Sequence, residues 1–338
     1  MKRIFCLIMM ASVILGFSSC KGKSFRELAQ KKDLRTGMAV AIGDLFQEEH
    51  IDIIKENCSV VVAENCMKWA TIRPTKNLWN WTDADNLVKF AQENGMDAIW
   101  HTLVWHNQNS PVVASIRTKE DATKLMDEYI DKVMSRYKGK VKEYDVVNEM
   151  FEEDGSFRES IWYRTMGPEY IEHALIQARK TDPDALLFLN EYNNEEAGHP
   201  KADAMYNFAK QLKEKGVPID GVGMQLHLDA SYNFNPDGIR ENVRRYAEIG
   251  LQVSFSEVDV RIPMDNPEAW YEQQQKVYEE LLRIAVEEPN VTSFIVWGIT
   301  DKNSWVPSVF PGRGEALLYD AQLKPKPLYT GLKNILKG

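Results

Sequence analysis

The sequence has little cysteine and no excess of basic charge. Its 338 residues include four cysteines, too few for a disulfide scaffold in a chain of this length. Acidic residues outnumber basic ones by 50 to 41, which gives a net charge of −9. Because an acidic chain is a poor general binder of phosphate backbones, we expect no nucleic-acid partner.

Three familiar catalytic motifs are also missing. The chain contains no P-loop, no complete glycine-rich dinucleotide fingerprint and no Gly-x-Ser-x-Gly elbow. These absences argue against a nucleotide-binding enzyme and against an α/β-hydrolase. What the chain does contain is a 44% share of apolar residues, enough for a sizeable core, together with nine tryptophans and thirteen tyrosines.

Two of the four cysteines, Cys58 and Cys66, flank the apolar run 60–63. If that run is a strand, the two thiols lie about 26 Å apart, since an extended chain rises about 3.3 Å per residue. Such a distance argues against a disulfide between them. We expect both to be buried free thiols.

The first residues have the pattern of an export signal. Lys2 and Arg3 precede an apolar stretch, residues 4–16, which is too short to span a bilayer comfortably. Small residues then precede Cys20, a pattern that resembles the bacterial lipoprotein signal. We therefore expect residues 1–19 to be a signal peptide and residues 20–30 a tether. A lipid on Cys20 would anchor the exported protein to the bacterial envelope, in the periplasm or at the cell surface. The alternatives are an ordinary signal peptide cut near Ser19 and an uncleaved anchor.

Short β-branched runs alternate with longer segments of helical period through the rest of the chain. The predicted strands are residues 35–43, 58–65, 97–105, 141–149, 185–193, 221–228, 252–260 and 292–301. The clearest predicted helices are residues 121–137, 163–181, 202–214, 235–249 and 270–287. Eight such units predict a single (β/α)8 TIM barrel over residues 31–338. A doubly wound open sheet is the alternative.

Polar side chains gather at the carboxyl ends of the predicted strands. They include Glu64, Asn65, His101, Trp105, Asn148, Glu149, Asn190, Tyr192, Gln225, His227, Glu257, Asp259, Trp297 and Asp301. In a barrel these ends converge on one bowl, where barrel enzymes place their chemistry. Carboxylates and amides bind hydroxyl groups, and indole faces cover the C–H faces of a sugar ring. The bowl therefore suits a neutral, polyhydroxylated ligand.

Two of these carboxylates, Glu149 and Glu257, end the fourth and seventh predicted strands. Cleavage of an acetal needs one protonated carboxyl to assist the leaving oxygen and one ionised carboxylate to face the oxocarbenium ion. A separation of about 5 Å implies a nucleophile and retention of configuration, whereas roughly 7–9 Å leaves room for a water and implies inversion.

The chain resembles the glycoside hydrolase family 10 endo-β-1,4-xylanases over residues 30–335. The matching segments, in the order in which the family has them, are 64–69 (ENCMKW), 101–106 (HTLVWH), 145–149 (DVVNE), 190–193 (NEYN), 221–227 (GVGMQLH), 256–259 (SEVD), 296–301 (VWGITD) and 304–305 (SW). The resemblance implies a retaining endo-xylanase that acts by double displacement through a covalent glycosyl-enzyme. Its partners would be xylan or xylo-oligosaccharides.

Position by position, the resemblance makes Glu149 the acid/base and Glu257 the nucleophile. Asn148 would bond the 2-hydroxyl of the reacting sugar, Gln225 would contact the nucleophile side, and His227 would bond Glu257. The other implied substrate-binding residues are Lys68, His101 and Trp105 around the reacting sugar, Glu64 and Asn65 at the next sugar, Trp297 and Trp305 as aromatic walls, and Tyr192 on the leaving-group side.

Two loop segments depart from the family pattern. Residues 109–113 lack the aromatic residue that often follows Pro111, and Val306 stands where a basic residue is common. Arg313 is the candidate substitute for that basic residue. Both departures affect the rim of the bowl and leave the two carboxylates untouched.

Two other functions stay open at this point. One is a retaining barrel glycosidase acting on a β-glucan or a decorated oligosaccharide, and the other is a non-catalytic sugar-binding lipoprotein. His101 and His106 have no third ligand nearby in the sequence, so we expect no metal, and we expect no cofactor. We expect a monomer whose contact with a membrane is only through the lipid on Cys20.

Overall fold

The computed structural model describes residues 22–338. The predicted signal peptide and Cys20 lie outside the described residues. None of the helices within residues 22–338 combines the length and the apolar character that a bilayer crossing requires.

Eight parallel strands form the centre of the molecule. They are β1 (Arg35–Val40), β2 (Val60–Ala63), β3 (Asp97–Val104), β4 (Glu143–Asn148), β5 (Leu186–Glu191), β6 (Gly221–Met224), β7 (Gln252–Pro263) and β8 (Val291–Val296). Each strand pairs with the next in the chain, and β1 pairs with β2 on one side and with β8 on the other. Because the ring closes between β8 and β1, the predicted TIM barrel is confirmed and the open sheet is wrong.

Helices surround this ring. They are Phe25–Gln30, Glu48–Asn57, Trp69–Ile72, Thr82–Glu93, Pro111–Ala114, Lys119–Tyr137, Ile161–Met166, Glu169–Thr181, Pro200–Glu214, Pro236–Glu248, Tyr271–Glu287, Val306–Val309 and Pro327–Lys337. Short 3-10 turns lie at Ile42–Phe46, Pro267–Ala269 and Asp301–Asn303, and short strands at His227–Asp229 and Arg313–Gly314. The single helix predicted over 163–181 is interrupted, because Gly167 has φ of 70° and Pro168 follows it.

The main core lies between the strands and the helices. Its largest fully buried side chains include Trp100, Trp162 and Tyr129. A second, smaller apolar cluster comprises Ala39, Val60, Val62, Ile99, Ile295 and Trp297. The free thiols of Cys58 and Cys66 are buried, as predicted.

Two glycines of β6 give room for larger neighbours on β5. A Cβ added at Gly221 would overlap the ring of Phe188, and one added at Gly223 would overlap the amide of Asn190. These glycines are therefore required by close approach, and the space at Gly223 is what allows Asn190 to sit within the site.

The segment before β1 packs onto the barrel. Ser24 and Glu27 form a capping box at the start of the helix Phe25–Gln30. Phe25 is 3% exposed and stacks on Tyr329, with ring centroids 5.5 Å apart. This helix falls within residues 20–30, for which we predict a tether, and its buried side chains join the barrel's core.

Candidate active site

The carboxyl ends of the strands surround a cleft of about 580 Å³. All the residues that the resemblance assigns to the site line it except Asn148, whose amide bonds Glu149. The lining residues are Glu64, Asn65, Lys68, His101, Trp105, Asn107, Gln108, Glu149, Tyr192, Asn193, Gln225, His227, Glu257, Arg261, Trp297, Trp305, Val309 and Phe310.

Glu257 lies on β7, where the pairing with β8 shifts register between Phe255 and Val258. Its side chain is nearly buried, and Asn190 Nδ2 donates a hydrogen bond of 2.7 Å to its Oε1. Two imidazoles approach the same carboxylate: His227 Nε2 lies 3.3 Å from Oε2, and His101 Nδ1 lies 4.0 Å from Oε1. The predicted contact between His227 and Glu257 is present.

These neighbours determine the charge of Glu257. Burial alone would raise its pKa, but His101, His227 and Lys68 outweigh burial and hold the pKa of Glu257 below its usual value. The carboxylate is therefore ionised at neutral pH despite its burial.

His227 is itself held in place by a second carboxylate. Its Nδ1 lies 2.9 Å from Asp259 Oδ2, which also accepts a hydrogen bond of 2.8 Å from Trp305 Nε1. Burial would lower the pKa of His227, but Asp259 and Glu257 raise it to about 10. His227 is thus an imidazolium between two carboxylates. Through Asp259, it connects Glu257 to the indole of Trp305.

Glu149 directly follows β4 and has a positive φ of 56°, a conformation that L-residues rarely adopt. Its backbone N–H donates to Asn190 O at 2.9 Å, which fixes this turn. Trp105 Nε1 donates to Glu149 Oε2 at 2.8 Å. Asn148 Nδ2 and Gln225 Nε2 donate to Glu149 Oε1 at 3.1 and 3.3 Å. Gln225 thus contacts Glu149, whereas the resemblance implied a contact on the nucleophile side.

The side chain of Asn190 links the two carboxylates. Besides its bond to Glu257, its Nδ2 donates to Asn148 Oδ1 at 2.9 Å, and Asn148 in turn bonds Glu149. Ser256 Oγ donates to Asn190 Oδ1 at 2.6 Å and fixes the orientation of the amide. Asn190 was among the strand-end residues of the sequence, but nothing in the sequence marked it as this link.

His101 lies on the floor of the cleft. Its Nδ1 is 2.8 Å from Asp145 Oδ2, and burial raises the pKa of Asp145 to about 6. The Trp297 ring meets the His101 ring edge-on, with centroids 5.3 Å apart. Since Trp297 is only 8% exposed, it forms a fixed wall of the cleft beside His101.

One end of the cleft carries a polar cluster from the loops after β2 and β3. Lys68 Nζ lies 3.5 Å from Asn65 Oδ1 and 4.8 Å from the centre of the Trp105 ring. Burial lowers the pKa of Lys68 and raises that of Glu64. Gln108 Nε2 also donates to Asn65 Oδ1, at 3.2 Å. These residues offer several donors and acceptors to the hydroxyls of a sugar.

Tyr192 lies on the side of the cleft formed by the β4 and β5 loops. Arg158 donates to its hydroxyl and to the carbonyl of Glu149, both at 2.9 Å. The ammonium of the fully buried Lys201 lies 3.2 Å from the ring centre and pairs with Glu191 at 3.0 Å. Burial raises the pKa of Glu191 to about 7. Sequence reasoning missed Arg158 and Lys201, because both act from outside the matching segments.

A further lining residue that the sequence reasoning missed is Arg261. Residues 257, 259 and 261 alternate along one strand, so a period of two would have placed Arg261 on the face of Glu257. Arg313, the candidate substitute for a basic residue at 306, instead pairs with Asp229 at 2.7 Å and does not line the cleft.

Comparisons with known proteins show the family to which the chain is similar. The model of glycosyl hydrolase family 10 matches residues 24–335. The endo-1,4-beta-xylanase B of Thermotoga neapolitana is 39% identical over an alignment covering 98% of this chain and 96% of that protein. A thermostable celloxylanase of Thermoclostridium stercorarium is 35% identical over an alignment covering 96% of this chain and 94% of that protein.

Solved structures show the same likeness. Native xylanase 10B from Thermotoga maritima superimposes with a TM-score of 0.90 at 42% identity, covering 93% of this chain and 98% of that one. Xylanase 10B from Thermotoga petrophila, solved in complex with xylobiose, has a TM-score of 0.90 at 41% identity and covers 94% and 98% of the two chains. The family match spans nearly all of the described residues, and the chain therefore belongs to glycosyl hydrolase family 10 and is a glycoside hydrolase.

Proposed function

We propose that this enzyme is an endo-1,4-β-xylanase that hydrolyses internal β-1,4-xylosidic bonds of xylan with retention of anomeric configuration. The names of its relatives and the xylobiose complex of the Thermotoga petrophila enzyme support the substrate class. One observation carries the mechanism: Glu149 and Glu257 face the same cleft in unlike surroundings.

The surroundings assign the two roles. Glu257 is buried among His101, His227 and Lys68, which stabilise its negative charge. It is therefore the ionised carboxylate of the pair, and membership of family 10 makes it the nucleophile. Glu149 is the second carboxyl of the cleft, and its hydrogen-bond donors are the neutral indole of Trp105 and the neutral amides of Asn148 and Gln225 rather than cations. Glu149 is therefore the general acid and base.

In the first step Glu149 gives its proton to the glycosidic oxygen while an oxygen of Glu257 attacks the anomeric carbon. The bond from that carbon to the leaving sugar breaks, and an ester to Glu257 forms. In the second step Glu149 takes a proton from water, whose oxygen attacks the same carbon and releases Glu257. Asn148 bonds the sugar 2-hydroxyl during both steps, an interaction that strengthens in the transition state.

The other lining residues hold the sugar chain. His101, Lys68 and Trp105 bind the reacting sugar, and Trp297 and Trp305 cover its faces as aromatic walls. The next sugar toward the non-reducing end is bound by Glu64 and Asn65. Gln225 positions the acid/base, and Tyr192 carries the leaving sugar.

Time-resolved proton NMR of the purified enzyme with xylan tests the reaction and its stereochemistry together. We expect the β-anomer of the new reducing end to appear first and mutarotation to follow. Appearance of the α-anomer first would overturn the double displacement.

Variants test the roles of the two carboxylates. We expect Glu257→Gln to abolish turnover of every substrate. Glu149→Gln should lower kcat on xylan by about 10²–10⁴-fold, yet retain the first step on an aryl xyloside with a good leaving group. Asp154→Asn removes an exposed carboxylate of the same loop and serves as the control. If Glu149→Gln slowed hydrolysis of xylan and of the aryl xyloside by the same factor, the assignment of Glu149 as the acid would be contradicted.

A β-glucan is the competing substrate, because one relative is named a celloxylanase. Glucose differs from xylose by a hydroxymethyl group, and the buried Trp297 leaves little room beside the reacting sugar. A clash of this size discriminates by about 10–200-fold. We therefore expect kcat/KM on xylohexaose to exceed that on cellohexaose by such a factor, and equal values would favour the β-glucan.

The same proposal includes the anchoring of the enzyme. Residues 1–19 would be removed, and a lipid on Cys20 would hold the exported, monomeric enzyme at the bacterial envelope. The pattern of residues 2–20 supports this. Labelling with a radioactive fatty acid should mark the wild-type protein but not Cys20→Ser, and an unlabelled wild-type protein would indicate an ordinary signal peptide or an uncleaved anchor.

A further inference from the structure

Arg261 lies in the cleft wall, although the proposed mechanism does not use it. It is on β7, and its side chain is only 11% exposed. Its guanidinium lies 3.9 Å from the centre of the Phe310 ring, and both residues line the cleft. Because the ring and the burial fix the guanidinium, little conformational entropy remains to be lost when it binds a ligand.

The charge of this guanidinium is incompletely balanced. Among residues 22–338, Asp229 is the sole carboxylate within ion-pair distance of Arg261, at 3.3 Å, and the same oxygen is 2.7 Å from Arg313. The two other carboxylates of this stretch of β7, Glu257 and Asp259, both face His227. Two guanidiniums thus share one carboxylate, which leaves a positive charge at the wall of a cleft in a protein of net charge −9.

The hydrogen-bonding capacity of Arg261 is also unfilled. Nη1 donates to His227 O at 2.9 Å. Nε is buried and faces Asp229 Oδ2 at 3.3 Å, whereas Nη2 has no hydrogen-bond partner within the described part of the chain. A buried cation with unmet donors is unfavourable unless a ligand completes its shell.

We propose that Arg261 is a specificity-determining residue that binds the carboxylate of a uronosyl branch on the xylan chain. A guanidinium matches a carboxylate in both charge and geometry. A sugar hydroxyl would fill one donor but would leave the charge unbalanced. This inference rests on the proposed xylanase function and adds to it a class of substrate that the cleft recognises by charge.

Two forms of one polymer test the inference. The first is glucuronoxylan, and the second is the same polymer after reduction of its carboxyl groups to primary alcohols. We expect wild-type kcat/KM to be higher on the acidic form. In Arg261→Met the ratio of kcat/KM on the acidic form to that on the reduced form should fall about tenfold or more. In Arg261→Lys, which keeps the positive charge, this ratio should be partly retained.

Arg283→Met is the control, since Arg283 lies on the helix Tyr271–Glu287 and does not line the cleft. It should leave the ratio unchanged. An unchanged ratio in Arg261→Met would overturn the inference, and so would equal losses on both polymers, which would indicate a structural role. For the wild-type enzyme, a ratio that is insensitive to added salt would also contradict it, because salt screens a partly exposed ion pair.

Binding separates this inference from the proposed function. Calorimetry of Glu257→Gln with a uronosyl xylo-oligosaccharide and its carboxyl-reduced form does not require turnover. Tighter binding of the acidic form that is lost in the double variant Glu257→Gln/Arg261→Met supports the inference, even if the wild-type enzyme fails to hydrolyse xylan. Equal binding of the two forms refutes it, even if hydrolysis is confirmed.

Discussion

A methyl group added at Gly223 should disable the enzyme without unfolding it. The new Cβ would overlap Oδ1 of Asn190, an amide that is completely buried. Asn190 cannot simply rotate away, because Ser256 holds its oxygen at 2.6 Å and its nitrogen bonds both Asn148 and Glu257. Gly223→Ala must therefore displace the group that links the two carboxylates.

The structure sets the size of the effect. A hydrogen bond to an ionised group contributes about 1.5–3 kcal/mol. Loss of the 2.7 Å bond from Asn190 to Glu257 should therefore lower kcat by about 10–100-fold. Overpacking of a dense interior costs about 1–3 kcal/mol of unfolding free energy, which a barrel of this size should tolerate.

Gly221→Ala is the matched control. It lies two residues earlier on β6, and its Cβ would overlap Phe188 rather than a site residue. Both variants should lose unfolding free energy in denaturant titrations, whereas only Gly223→Ala should lose kcat on an aryl xylobioside. If the two variants lost kcat equally, or if Gly223→Ala kept wild-type kcat, the argument that Asn190 organises the nucleophile would be refuted.

Three further predictions concern single side chains. Trp105→Phe removes the 2.8 Å donor to Glu149, and steady-state kinetics should show a fall in kcat/KM of about tenfold or more. The pKa of His227 is raised to about 10 from an unfolded value near 6.5. Its contribution to stability is therefore full below about pH 6.5 and is lost as pH rises through about 10, so the unfolding free energy should decline less over this range in His227→Gln than in wild type. Phe25→Ala should lose about 3–5 kcal/mol of unfolding free energy, whereas Lys23→Ala, at an exposed neighbouring position, should lose almost none.

The barrel and most of its cleft could be predicted because their signals are local. Each strand is a short β-branched run, and each polar residue stands at the end of its own run, so no knowledge of distant contacts was needed to place Glu149 and Glu257 in one bowl. The alternation of strand and helix did not settle whether the sheet closes. That depends on the pairing of β1 with β8, which joins segments about 260 residues apart, for example Arg35 and Ser293.

The partners of the site residues could not be predicted in the same way. Gln225 was expected near the nucleophile, but its amide bonds Glu149, 76 positions away in the chain. Lys201 is buried under Tyr192 because the helix Pro200–Glu214 packs against the β5 loop. Arg261 rather than Arg313 lines the cleft. In each case the sequence shows the type of residue, but the direction in which its side chain points depends on packing between distant segments.

The unlike behaviour of two identical side chains follows from the closure of the ring. Glu257 is held by Asn190 from β5, His227 from the segment after β6 and His101 from β3, so cations and donors surround it from several strands. Glu149 stands in a turn after β4, where its hydrogen-bond donors are neutral. The imidazole nearest to it, His106 at 3.6 Å, has a pKa that burial lowers. An open sheet would separate β3 from β7 and would remove His101 from the nucleophile. For the two glutamates to exchange roles, His101 and His227 would have to move as well as the carboxylates.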